Sequence, residues 1–85
     1  MEKYPKQATG IEINKVADGY VVYQPDRERV HYLNHTAAIV LELCDGQIAV
    51  ESMPHIIQDA YQLPAPPETE VVECLKKFFD EELIK

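Results

Sequence analysis

Apolar and polar residues alternate from Ile11 to Asn14, with Ile11 and Ile13 set against Glu12 and Asn14, and this two-residue period predicts a strand with one buried face. Ala17, Asp18 and Gly19 carry turn chemistry, so Tyr20, Val21, Val22 and Tyr23 read as the returning arm of a hairpin. Pro25 cannot donate to a ladder and ends that arm. After the polar Asp26, Arg27 and Glu28, a third strand is predicted from Arg29 to Leu33, with Val30 and Tyr32 on one face and Arg29, His31 and Leu33 on the other. The period then changes to that of a helix. Asn34 is a good N-cap, because its side-chain oxygen can accept one of the free N–H groups of the first turn, and Leu33 is spaced to staple onto Ala38. Ala37, Val40, Leu41 and Cys44 share a face that Ile39 and Leu43 widen, and Glu42 is the one charge before Asp45. A helix so nearly apolar all round belongs at the centre of a small core, and Gly46 is placed to close it.

A second helix is predicted from near residues 50–53 through Tyr61, with Met53, Ile56, Ile57, Ala60 and Tyr61 at helical spacing and Pro54 tolerated in the first turn. Pro64, Pro66 and Pro67 force a loop. A third helix follows from Glu68 to Leu83, with Val71, Val72, Leu75, Phe78, Phe79 and Leu83 on its apolar side and Glu70, Glu73, Lys77, Asp80 and Glu81 on the other. Glu73 stands four residues before Lys77, the favourable order for a helical ion pair. The pattern as a whole predicts an α+β fold, a three-stranded antiparallel meander followed by three helices. Residues 1–9 show no periodicity and read as a flexible arm.

A chain of 85 residues holds one domain, 1–85, and nearly every large apolar side chain is needed for its core. The 46% hydrophobic and 27% charged content is that of a folded protein rather than a disordered one. A formal charge of -7 repels the phosphate backbone of nucleic acid. No apolar run is long enough to span a membrane and the N-terminus lacks a signal-peptide core, so the expected location is the cytoplasm.

Chemistry is hard to assemble from this chain. His31, His35 and His55 fall on different elements, no HxxxH or CxxC spacing sits on one element, and Gly10, Gly19 and Gly46 are isolated turn glycines rather than a phosphate loop. Cys44 and Cys74 read as small buried hydrophobes. No catalytic group, metal site or cofactor is expected, and recognition by surface remains. The third strand ends the meander, so its outer edge is either open to an added strand or covered by the third helix. Such an edge also allows a homodimer beside a monomer. A winged-helix nucleic-acid-binding domain is the alternative, but its third helix carries Lys76 and Lys77 against Glu68, Glu70, Glu73, Asp80, Glu81 and Glu82.

The run from Pro25 through Tyr32, Leu33, Asn34, His35, Thr36, Ala37 and Ala38, ending in Leu41, Glu42, Leu43, Cys44, Asp45 and Gly46, resembles the PqqD-like family. That resemblance implies a winged-helix-like domain without catalytic function, which binds the leader of a ribosomally made precursor peptide. It would present the leader to a modifying enzyme such as a radical-SAM protein, in quinone-cofactor or related peptide natural-product biosynthesis. The leader would add to the third strand along Arg29, Val30, His31, Tyr32 and Leu33. For the facing helix, periodicity selects Val72, Leu75, Lys76 and Phe79 from the flank of the apolar stripe. Arg27, Arg29, Lys76 and Lys77 are half of the basic side chains, and on this reading they flank the groove and attract an acidic leader. Members of the family often carry Gly shortly before a C-terminal Leu-Ile, where this chain has Glu82.

Overall fold

The computed structural model describes residues 3–85; Met1 and Glu2, the first residues of the predicted arm, lie outside it. Strands β1 (Glu12–Val16), β2 (Gly19–Gln24) and β3 (Arg29–Leu33) form an antiparallel sheet in the order β1-β2-β3. Helices α1 (His35–Leu43), α2 (Met53–Tyr61) and α3 (Glu68–Asp80) follow. This is the α+β meander and three helices that the hydrophobic periods predict. Val16 pairs with Gly19, leaving Ala17 and Asp18 as a two-residue turn. Gly19 must stay small, because a Cβ there would stand 2.4 Å from the Leu33 carbonyl oxygen.

The strand-to-helix junction is built as its sequence predicts. The Asn34 side chain accepts a hydrogen bond from the Ala37 N–H at 2.8 Å, and Leu33 and Ala38 are both buried in the core. His35 adds an edge-on contact with the Tyr20 ring, centroids 5.7 Å apart. Behind this junction α1 buries Ala38, Val40 and Leu41 and packs Ala37, Ile39 and Leu43 against the same cluster. Val22, Met53, Ile57, Val71, Leu75 and Phe78 close around it, each worth roughly 1.5–3 kcal/mol of burial.

The ends of α1 and α3 differ from expectation, while α2 begins and ends where predicted. The α1 helix stops at Leu43, before Gly46; that glycine instead takes φ 83 in the next bend and donates its N–H to the Pro5 carbonyl. A 3-10 turn, Val50–Ser52, leads into α2, and Pro54 occupies the first helical turn where its missing N–H costs nothing. The α3 helix ends at Asp80 rather than Leu83. Glu82 turns left-handed at φ 59, the Leu83 N–H reaches the Phe78 carbonyl and the Glu82 N–H reaches that of Phe79. This pair of bonds is a Schellman motif, with Glu82 at the position that glycine favours. Leu83 therefore keeps its apolar place in the pattern although it has left the helix, and it is buried beside Ile84.

Residues 3–9, read from sequence as a flexible arm, are held by backbone bonds on both sides. Gln7 donates to the Cys44 carbonyl, Ala8 to Leu83, Lys85 to Lys6 and Val50 to Lys3. Gln7 also donates from its side chain to the Leu41 carbonyl, which accepts the Cys44 N–H as well at the end of α1. Pro5 is fully buried. Main-chain bonding of this kind leaves no side-chain period.

The Cys44 thiol is pushed from its ordinary 9.0 up to about 12, chiefly by burial and further by Asp45. The neutral thiol is the form the fold accommodates, so its contribution is complete below pH 9 and is lost as pH rises through 12. Chemical unfolding should therefore show a loss of about 2 kcal/mol between pH 8 and pH 10.5 that Cys44→Ala lacks. A second expectation concerns Glu82: in an Arg27→Ala background, where its ion-pair partner is gone, Glu82→Gly should stabilise the fold by about 1 kcal/mol through release of the left-handed strain. Urea denaturation of the two variants measures it.

Candidate functional site

The third strand pairs with β2 on one side, Val22 opposite His31 and Tyr23 opposite Val30, and among the described residues nothing pairs with its other edge. That edge faces α3. Strand and helix run in opposite directions, because Arg29 at the start of β3 bonds the Glu81 carboxylate at 2.8 Å beyond the end of α3. At the far end, Tyr32, Leu33, Asn34, Thr36 and Ala37 share a groove of about 320 Å³ with Glu70, Glu73, Cys74, Lys77 and Phe78. Leu33 and Phe78 form its apolar floor, and Cys74 stands half-buried in its wall.

The strand residues expected to bind thus lie together on one element, but they do not present alike. Val30 is 65% and Tyr32 57% exposed, both on the outer sheet face beside Tyr23 and Val21. Leu33 is buried as groove floor. His31 faces inward and bonds the Gln24 side-chain oxygen at 2.5 Å, and Arg29 is held by Glu81. The helix residues chosen by periodicity are not brought to this groove. Leu75 is 0% exposed, fixed in the core. Val72 and Lys76 lie with Glu68, Thr69 and Glu73 in a separate shallow depression, and Phe79 is half-exposed outside the groove. The groove uses the opposite flank of the helix: Glu70, Glu73, Cys74 and Lys77. Both flanks border the same core stripe of Val71, Leu75 and Phe78, and the helical period alone does not say which of them β3 will meet.

The charge balance also changes. Arg27 pairs with Glu82 and Arg29 with Glu81, so the two arginines expected to draw in an acidic peptide are already engaged by acids. Lys76 sits in the other depression. Glu73 and Lys77 both line the groove, yet the ion pairs among the described residues join Lys3 with Glu51, Arg27 with Glu82 and Arg29 with Glu81, not these two. The field inside the groove registers on Cys74, whose thiol is raised by burial first, then by Glu70 and Glu73, with Lys77 pulling the other way. Negative charge prevails at that wall.

The other titratable side chains do not converge. His35 caps the Tyr20 ring, His55 is exposed on α2, and the buried Cys44 thiol bonds the Val40 carbonyl. Among the described residues no three His, Cys, Asp or Glu side chains are grouped to hold a metal ion, and no helix is long and apolar enough to cross a membrane.

Fold and groove together define a small α+β domain with an open strand edge set against a helix. Residues 19–84 match the family described as Coenzyme PQQ synthesis protein D (PqqD), and the chain belongs to that family. The match starts at β2 and runs to the buried Ile84, so it includes the groove and the C-terminal turn. Comparison with curated proteins gives no match, and comparison with solved structures gives none.

Replacing the two groove acids, Glu70→Gln with Glu73→Gln, should bring the Cys74 thiol back toward its ordinary value. The pH profile of Cys74 alkylation by iodoacetamide would then shift to lower pH, with the profile of a Lys77→Gln variant moving the opposite way.

Proposed function

We propose that this protein is a non-catalytic peptide chaperone of PQQ-type or related biosynthesis, which takes up the leader of a ribosomally made precursor in the groove between β3 and α3. The observation that carries the reading is the unpaired outer edge of Arg29–Leu33 alongside a groove with an apolar floor. An extended peptide added there gains main-chain hydrogen bonds in the direction of the sheet. Its side chains then alternate, one set entering the groove toward Leu33, Cys74 and Phe78 and the other lying on the outer face beside Val30 and Tyr32. The helix wall of the site is Glu70, Glu73, Cys74 and Lys77, in place of Val72, Leu75, Lys76 and Phe79.

Strand addition suits a carrier. Main-chain bonds form with many sequences, while ordering a flexible leader consumes part of the interaction energy and leaves an affinity compatible with release to an enzyme. The modifying enzyme, a radical-SAM protein on this reading, would receive the segment of precursor beyond the leader. The acidic balance of the chain and of the groove wall disfavours the nucleic-acid alternative.

Leader peptides from short precursor genes beside this one should shift the backbone amides of Arg29–Leu33 and of α3 residues 70–77 on titration into isotope-labelled protein. Shifts confined to β1, or to the Val72 and Phe79 flank, would refute the site.

A further inference from the structure

Among the described residues Gln24 is the one buried polar residue of the core, 4% exposed at the last position of β2. Its side chain is spoken for at both ends. The amide nitrogen lies 3.2 Å from the Glu81 carbonyl and 3.4 Å from that of Glu82, the carbonyls just past the end of α3. The amide oxygen meets His31 Nε2, in the middle of β3. A buried amide this far from water is costly unless paired, so its partners are held in place by the penalty for losing them. Around it, two exposed ion pairs join the same two regions, Arg29 with Glu81 and Arg27 with Glu82. Exposed pairs contribute little by themselves, which leaves the buried amide as the main tie.

These contacts join β2, β3 and the end of α3 beyond the groove, whose lining begins at Tyr32 on the strand and Phe78 on the helix and takes in Leu33, Asn34 and Cys74. Nothing in the family match assigns a role to Gln24. We infer that Gln24 is a positioning residue, a clasp that sets the separation of β3 and α3 and so holds the groove at the width an added strand requires. The inference rests on the proposed peptide site for its functional meaning, but the clasp itself can be measured without any peptide.

The two cysteines provide the gauge. Cys74 lines the groove and reports its opening, whereas Cys44 is fully buried at the C-terminal end of α1 and reports global unfolding. In Gln24→Met, of similar length but without the amide, alkylation of Cys74 by N-ethylmaleimide should accelerate about fivefold while that of Cys44 is unchanged. An unchanged Cys74 rate, or equal acceleration at both thiols, would overturn the clasp, the second result meaning that Gln24 only stabilises the fold. Should Gln24→Met not fold, His31→Leu, which removes the partner of the Gln24 amide oxygen on β3, poses the same question, and the rates at the same two thiols decide it in the same way. Leader affinity is then read by titration. A clasp variant that opens at Cys74 yet binds leader as tightly as the parent overturns the positioning role, whereas a parent protein whose Arg29–Leu33 amides ignore leader refutes the peptide site and leaves the alkylation result standing.

Discussion

A helix that is apolar on almost every side has to be covered on almost every side, and α1 imposes that demand on a chain of only 85 residues. The sheet covers one side, and α2 and α3 cover others. At the end of α1 the cover comes from both extremities of the chain, laced together through main-chain bonds: Gln7 to Cys44, Ala8 to Leu83, Lys85 to Lys6. Side-chain periodicity says nothing about such a seam, because its donors and acceptors belong to the backbone. Its consequence is visible in the burial of Pro5, Leu83 and Ile84, residues that outwardly belong to tails.

The groove is a product of the same packing. Once Val71, Leu75 and Phe78 are committed to the core, α3 can offer only its flanks to anything else. One flank carries the exposed Val72 and Phe79; the other carries Glu70, Glu73 and Lys77 around Cys74 and is the one that faces β3. The wall of the candidate site is therefore more polar and more acidic than the hydrophobic pattern of the helix indicates. The strand side has the reverse character, with Val30 and Tyr32 open on the outer face of the sheet.

Glu82 shows how a left-handed turn is absorbed without a glycine. A glycine at that turn would be free of strain; the glutamate accepts the left-handed conformation, and its carboxylate is met by Arg27. The C-terminal Leu83 and Ile84 still turn back into the core, so the end of α3 stays against β2 and β3 where Gln24 and Arg29 meet it.

By itself the sequence determined the local elements: a hairpin from alternation and turn residues, a rigid Leu33-Asn34 passage from strand to helix, a central apolar helix, and the order of strands and helices. These depend on neighbours a few residues apart, which periodicity and capping chemistry record. It also placed the strand half of the candidate site, since Arg29–Leu33 ends the meander wherever the helices go. Tertiary structure alone decided which flank of α3 faces that strand, which of the basic residues are neutralised, and where α3 turns off. The first two depend on contacts distant in sequence, such as Arg29 with Glu81 and the meeting of Leu33 with Cys74 across the groove, and the last on the burial of Leu83 in the core. Both flanks of an amphipathic helix look alike until a partner is fixed, and only the packed core fixes it.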